Sequence, residues 1–378
     1  MATTTPNYGW TVPTSSDLVK NGATAIETLG DSVDDSLWSS GFGQAAKNKL
    51  INGDFSINQR AFTSVTTTTT YTFDRWLTTL ADGTVTYTPQ VFTAGAAPVA
   101  GYESTNFLRC VTTGQTLTTA EARIIQKIEN VRSFAGQPVT ISFWAKAATG
   151  TPSIAVELLQ TFGSGGSASV TGIIATKQAI TTGWARYSWT GTVPSISGKT
   201  VGTANDSLQV VIWLSAGSSF NARTSSLGIQ SNTFDIWGVQ AEYGSKATPF
   251  QLAGGGSPEA ELAMCQRYLP SFKGGFSTAT GWWTSTTGGY FVLPFNVEAR
   301  VAPTGVSLGA SAVTDFQLLN TGFASGNPTA IAWNFGGVSS ATISTTHTLG
   351  TPTAVAGANA IFRGLNANST LLFTGCEL

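Results

Sequence analysis

The chain has 378 residues, of which 41% are hydrophobic and 10% charged, and its formal net charge is -1 at pH 7. The apolar share is large enough for folded cores, whereas the charged share lies well below the roughly 25% of an ordinary globular protein, so Thr, Ser, Gly and Asn must cover much of the surface. Nucleic acid is disfavoured as a partner because the sequence has no Lys/Arg cluster to neutralise phosphates.

Neither a secretion signal nor a membrane span is visible in the sequence. The N-terminus has no basic region followed by an apolar one, and no run of about 18 apolar residues occurs. We therefore expect no membrane insertion. The cysteines Cys110, Cys265 and Cys376 are odd in number and far apart, which predicts three buried thiols rather than a disulfide framework or a zinc site.

Residues 1–45 are predicted to be an attachment segment with one short helix. Tyr8 and Trp10 lie in a polar, extended stretch and are candidates for docking onto a larger assembly, because aromatic side chains dominate small interfaces. The helix has a narrow apolar seam formed by Val19, Ile26, Leu29, Val33 and Leu37. Such a helix, too short to be stable alone, indicates either packing on the next domain or a short parallel coiled coil between identical chains, and the narrow seam favours the second.

Residues 46–252 carry the pattern of β-strands. Apolar and polar residues alternate in stretches such as 139–144 and 208–214, and clusters of Gly, Ser, Thr, Asn and Pro separate these stretches. Strands spaced in this way, with no helical period between them, predict an antiparallel β-sandwich.

The glycines Gly254–Gly256 indicate the clearest boundary in the chain. Ser257 is predicted to cap a short helix that begins at Pro258, within a linker of residues 253–270. Residues 271–378 then predict a smaller distal β domain. The predicted fold class is therefore mainly β, with a short N-terminal helix, a central sandwich, a linker helix and a C-terminal β-sandwich.

Catalytic groups are sparse, and we expect the protein not to be an enzyme. His347 is the only histidine, no GxSxG sequence accompanies it, and we expect it to be structural. The acidic residues of the sandwich form no pair by spacing of the kind that glycosidases use, although a polysaccharide depolymerase stays open as a less favoured alternative. Asp74 and Arg75, next to Trp76, predict an internal ion pair.

Aromatic residues are the remaining candidates for function. Trp282 and Trp283 are consecutive, so in a strand they face opposite sides, and Tyr290 follows in a glycine-flanked hairpin. One interpretation places one tryptophan in the core and the other in an interface between chains. The other makes these three residues a ligand-binding surface, since sugar rings stack on exposed aromatic faces.

Several short stretches of the chain, taken together and in order, resemble a known family. They are 50–60, 71–76, 139–146, 184–188, 234–244, 247–250 and 262–268, followed in the last domain by 294–295 and 299–304. These motifs are similar to those of phage tail fibre and minor tail proteins that carry a carbohydrate-binding-module-like jelly roll. Residues 6–37 resemble the virion-attachment leader that such proteins place before their distal modules.

The resemblance implies a jelly-roll module, a homotrimer and a tail fibre or adhesin that binds a bacterial surface, with a glycan as the expected ligand. It also implies assembly in the host cytoplasm and other virion proteins as partners. A head fibre or capsid decoration protein is the alternative. Related jelly rolls often hold a structural calcium ion, for which Asp54 and Asp235 stand at the matching positions, although Ser56 replaces a glutamate that often supplies a ligand.

Overall fold

A computed structural model of the chain describes residues 3–5, 10–14, 21–39, 47–99, 102–275, 278–322, 324–348, 353–367 and 369–378, with the backbone alone at 3 and 35–39. The first elements are a two-stranded hairpin of β1 (Thr3–Thr4) and β2 (Thr11–Val12), and the helix α1 (Gly22–Ser39). The helix packs against β2. Among the described residues, no helix is both long enough and apolar enough to cross a membrane.

The central part of the chain is a sandwich of two antiparallel sheets, which confirms the mainly β prediction. The six-stranded sheet has the order β10 (Val170–Ala179), β9 (Ser153–Thr161), β12 (Ser207–Ala216), β7 (Glu121–Glu129), β4 (Leu77–Ala81) and β3 (Thr70–Tyr71). The five-stranded sheet has the order β11 (Ala185–Thr192), β8 (Pro138–Ala147), β13 (Asn232–Tyr243), β6 (Asn106–Thr113) and β5 (Thr84–Val91).

Alternation along the strands builds the core of the sandwich. In β8 the side chains of Ile141 and Phe143 are buried against the opposite sheet, because successive residues of a strand face opposite sides. Phe143 stacks on Trp189 of β11, with ring centroids 4.8 Å apart. A four-residue helix, α2 (Asn221–Thr224), lies against β9, β10 and β12.

The linker helix α3 (Pro258–Gln266) begins as predicted. The Ser257 hydroxyl accepts a hydrogen bond from the Ala260 amide, and Pro258 occupies the first turn, where no amide donor is needed. Glu261 is buried, and its carboxylate accepts hydrogen bonds from the Asn52 and Gly254 amides. The helix is therefore bound to the first turn of the sandwich.

The C-terminal part forms a second β unit. Its seven-stranded sheet has the order β19 (Ser325–Gly326), β18 (Phe316–Asn320), β22 (Asn359–Gly364), β15 (Thr278–Trp283), β16 (Gly288–Pro294), β21 (Ser340–His347) and β20 (Pro328–Gly336). A three-stranded sheet has the order β14 (Ser271–Lys273), β23 (Thr370–Thr374) and β17 (Gly305–Ser307). Large rings, including those of Trp283, Phe291 and Phe362, fill the core. The exact domain boundaries stay a prediction.

Charged side chains join the two β units at a polar junction. Arg75 and Arg60 both contact the Glu377 carboxylate, at 2.6 and 2.8 Å, and Arg267 contacts Glu129 at 3.0 Å. We call these five residues the junction. The predicted ion pair between Asp74 and Arg75 was wrong, because Arg75 has a φ of 73° and its guanidinium extends to Glu377.

The three cysteines are buried free thiols, as predicted. Burial raises the pKa of Cys110, of Cys265 and, to about 11, of Cys376. His347 is buried as well, and its ring centroid lies 4.9 Å from that of Trp283. Its position in the core agrees with a structural role.

Candidate functional site

The two consecutive tryptophans of β15 lie on opposite sides of the seven-stranded sheet. Trp283 is wholly buried, where its ring meets Phe291 edge-on at 6.1 Å, whereas Trp282 is 40% exposed. The inclusion of Trp283 among the ligand-binding residues was therefore wrong: its side chain is closed off from solvent by the core. Trp282 and Tyr290 remain candidate ligand-binding residues.

Trp282 is held in place by its neighbours across the sheet. Tyr290 on β16 and Asn359 on β22 lie directly opposite it, one on each side. The Trp282 and Tyr290 rings meet edge-to-face, with centroids 5.8 Å apart and planes at 88°. Gly281 allows the close approach, since a Cβ at this position would overlap the main-chain oxygen of Tyr290. The indole is thus fixed before any ligand arrives.

A groove of about 470 Å³ runs beside Trp282. Its side chains are uncharged, and we call this surface the outer sheet face: Thr280, Trp282, Val292, Asn359 and Ile361. Tyr290 lies at its border. Exposed aromatic and aliphatic side chains here adjoin a hydroxyl and an amide. That combination suits a sugar, whose CH faces stack on aromatic rings while its hydroxyls take hydrogen bonds.

A second aromatic cluster covers the outside of the five-stranded sheet. Trp144 faces Trp237 across β8 and β13, with centroids 5.3 Å apart, and Tyr102 and Phe250 pack on Trp237 from two loops. The Trp144 side chain is on the opposite face of β8 from Phe143 and is partly exposed. Its even spacing from Ser142 and Lys146 was the signal that pointed outward.

The two predicted calcium ligands, Asp54 and Asp235, are each bound by neighbouring protein groups. Asp235 makes a two-pronged contact with Arg109, at 2.7 and 2.9 Å, and lies 3.5 Å from Lys146. Asp54 accepts hydrogen bonds from the Tyr102 hydroxyl and the Ser56 amide. Within the described ranges, no group of three or more His, Cys, Asp or Glu residues is placed to bind a metal ion.

Buried acids of the sandwich are bound by neighbouring protein groups. Glu157 accepts two bonds from Arg223, at 2.7 and 2.9 Å, and one from the Trp213 indole. Glu242 accepts from the Thr248 amide and hydroxyl, at 2.8 and 2.6 Å. Both carboxylates are wholly buried and are bound by these protein donors.

Much of the predicted attachment segment is outside the described residues. Tyr8 and Val19 fall outside them, and the side chain of Leu37 does too. Trp10 is partly buried, and its amide donates to the Thr5 hydroxyl at 3.0 Å. The remaining three seam residues lie on α1, where Ile26 is 66% exposed and Leu29 and Val33 are partly buried. Docking and self-association by these residues stay predictions.

No protein-family model and no curated protein matches the chain. Solved structures give partial matches. A putative sugar binding protein from Bacteroides thetaiotaomicron is 14% identical, with a TM-score of 0.33, over 52% of this chain and 100% of its own. The CBM22-2 xylan-binding domain of Paenibacillus barcinonensis Xyn10C is 17% identical, with a TM-score of 0.28, over 45% of this chain and 92% of its own.

A phage protein is among the structural matches. The enzymatically active domain of tailspike protein 4 from Bacteriophage CBA120 is 14% identical, with a TM-score of 0.32, over 52% of this chain. The match spans 21% of that tailspike chain. Carbohydrate-binding module jelly-roll domains and a phage tailspike domain are among the structural neighbours of this protein.

Proposed function

We propose that this protein is a virion structural protein of a bacteriophage, a tail fibre or adhesin whose C-terminal β unit binds a neutral glycan on the host surface. The observation that carries the proposal is Trp282, an indole that is 40% exposed, braced edge-on by Tyr290 and set in an uncharged groove. An exposed, immobilised aromatic ring is what a sugar needs for stacking, and immobilisation before binding reduces the entropic cost.

Binding without cleavage is the second part of the proposal. The groove beside Trp282 is lined by side chains that do not titrate, and a glycosidase needs a pair of carboxyl groups at the scissile bond. Incubation of the purified protein with host capsule or lipopolysaccharide is expected to leave the chain length of the polysaccharide unchanged. Shortened chains would instead support the depolymerase alternative.

Attachment and assembly form the third part. We propose that residues 1–45 dock on the virion, with Tyr8 and Trp10 as anchors, and that the seam of α1 joins three copies. The 66% exposure of Ile26 supports this, because covering an exposed isoleucine side chain with a second helix removes apolar surface from water and stabilises the assembly. The three weak sugar sites of one trimer would then bind a cell surface together, with a higher apparent affinity than a single site has.

The position on the particle separates this proposal from its alternative, a head fibre or capsid decoration protein. Immunogold labelling of intact virions tests it directly. Label on the tail supports a tail fibre. Label spread over the head would replace that assignment with the structural alternative, whatever the glycan tests show.

The glycan proposal is tested by screening the purified protein against neutral oligosaccharides and comparing Trp282→Ala with Trp282→Phe. The alanine variant is expected to bind at least about tenfold more weakly, because it lacks the stacking ring, whereas phenylalanine preserves much of the affinity. Leu117→Ala is the matched control, since Leu117 is 56% exposed on the sandwich. Unchanged binding by a folded Trp282→Ala variant would rule out the outer sheet face as the site.

A further inference from the structure

The outer sheet face is a regular array of side chains in two rows across β22, β15 and β16. One row consists of Asn359, Trp282 and Tyr290, and the next row consists of Ile361, Thr280 and Val292. Neighbouring strands lie about 4.8 Å apart, and alternate residues of one strand lie about 7 Å apart on the same face. A sugar ring stacked on the Trp282 indole is therefore within reach of side chains from both rows.

Three polar groups of this array are available to a ligand. They are the Asn359 amide, the Thr280 hydroxyl and the Tyr290 hydroxyl, none of which makes a hydrogen bond within the part of the chain that the structure describes. Asn359 and Thr280 are exposed, and Tyr290 is partly exposed. Because an amide side chain both donates and accepts, Asn359 can bind a ligand group that has a donor beside an acceptor.

Aliphatic side chains adjoin these polar groups. Val292 is 38% exposed, and Ile361 is partly exposed on the same face of β22 as Asn359. A ligand that bonds to Asn359 and carries a methyl group next to the bonded atoms can place that methyl group on Ile361. Such a contact favours binding because it removes apolar surface of both partners from water.

The charge of the surface restricts the ligand further. Among the described residues that line the groove, none is charged. Arg363 follows Ile361 by two positions on β22 and donates to the Gln317 side chain at 2.9 Å. An amino sugar with a free ammonium group would find no carboxylate here and would lie near a guanidinium group. Acetylation of the amine removes that charge and supplies an amide and a methyl group together.

We infer that the outer sheet face binds an N-acetylhexosamine, with the sugar ring on Trp282 and the acetamido group over β22. The Asn359 amide exchanges hydrogen bonds with the acetamido group, whose methyl group contacts Ile361. The hydroxyls of Thr280 and Tyr290 remain for the hydroxyls of the ring. This inference rests on the function proposed above and adds the class of sugar that the site selects.

Binding of methyl glycosides to the full chain, followed by NMR spectroscopy, tests the inference. Two pairs are compared, N-acetylglucosamine with glucose and N-acetylgalactosamine with galactose, so that within each pair an acetamido group replaces one hydroxyl. We expect at least one acetylated sugar to bind about tenfold more tightly than its hexose, since an added apolar group in a pocket has an effect of this size. Saturation transferred from the protein should be strongest at the acetyl methyl group.

Variants of β22 test the assigned contacts. Asn359→Ala and Ile361→Ser should each remove most of the preference for the acetylated sugar and leave the affinity for the hexose unchanged. Asn359 is exposed, so its variant tests the inference even if Ile361→Ser fails to fold. Val355→Ala is the matched control, because Val355 is 63% exposed and does not line the groove. Trp282→Ala should weaken binding of both sugars of a pair, since both stack on the indole.

The outcomes separate this inference from the proposed function. Equal affinity for the two sugars of each pair, with both weakened by Trp282→Ala, would overturn the inference and leave the proposed function standing. The same holds if the preference for the acetylated sugar survives in the folded Asn359→Ala variant. A deoxyhexose, which has a methyl group but no amide, would overturn the inference by binding as tightly as the acetylated sugar. Failure of both acetylated sugars to bind would also overturn it, and binding that Trp282→Ala leaves unchanged would overturn the inference and the proposed function together.

Discussion

Arg75 and Glu377 meet in an ion pair although they are 302 positions apart, with Nη1 of the arginine 2.6 Å from Oε2 of the glutamate. The Arg75 side chain is 2% exposed and that of Glu377 is 12% exposed, so the pair is largely removed from water. Arg60 contacts the same carboxylate. One acid near the end of the chain therefore pairs with two arginines of the sandwich.

Replacing Glu377 by glutamine should destabilise the protein by about 3 kcal/mol, because it leaves the buried Arg75 charge without its partner. Chemical denaturation monitored by tryptophan fluorescence measures the change. Glu298→Gln is the control, as this residue is exposed and makes no ion pair among the described residues. A Glu377→Gln variant as stable as the parent would mean that the junction contributes little to folding.

Glu129 should make stability depend on pH. Burial acts to raise its pKa, but hydrogen bonds from Arg267 and Tyr268 outweigh it, and the net pKa is lowered. An acid whose pKa is lower in the folded chain stabilises it above the unfolded value of about 4.3, and this contribution disappears as the pH falls through the folded pKa. The melting temperatures of parent and Glu129→Gln should therefore differ most near neutral pH and converge in acid. Parallel curves over the whole range would contradict this.

The two adjacent tryptophans should differ sharply in their effect on stability. Trp283→Ala removes a wholly buried ring from the second core and should cost about 3 to 5 kcal/mol. Trp282→Ala removes a ring that lies at the surface and should cost about 1 kcal/mol or less. Thermal unfolding of both variants decides the matter, and similar losses would show that the assignment of core and surface is wrong.

Ile26→Asp should abolish self-association, because a charge in the α1 seam cannot be buried between helices without a large penalty. Sedimentation equilibrium of the purified chain gives the mass of the assembly directly. Glu27→Gln lies next to it, is exposed on the same helix and should leave the mass unchanged. A parent protein that sediments as a single chain would contradict the proposed trimer.

Treatment with a chelator should leave the melting temperature unchanged. Asp235, one of the two positions that the family resemblance marks for calcium, is already neutralised by Arg109 and Lys146. Differential scanning calorimetry with and without EDTA measures the effect, with an EDTA–calcium mixture as the control. A drop in melting temperature that added calcium reverses would show that a bound ion was missed.

Local patterns were enough to predict the mainly β fold and the start of the linker helix. Alternation in β8 identified a sandwich strand because burial of one face repeats every second residue. Ser257 was recognisable as a cap because a hydroxyl before Pro258 is a short-range signal, and the hydrogen bond from Ala260 confirms it.

Long-range choices were not readable from the sequence. The pair Trp282 and Trp283 had to face opposite sides, but which one faces the core depends on the register with β16 and β22. Arg75 was assigned to its neighbour Asp74, whereas its partner is Glu377, at the other end of the chain. No local rule predicts such a contact, because the two residues are 302 positions apart and belong to different β units.

The junction also limits how this protein can be recombined. Arg60, Arg75 and Glu129 belong to the sandwich, while Arg267 and Glu377 come after the glycine-rich boundary at 254–256. A chimaera in which the two β units come from different proteins and are joined at these glycines would separate the charged residues from their partners. A chimaera joined ahead of residue 47 keeps every one of these pairs. The two β units are therefore best exchanged or engineered together, as one segment.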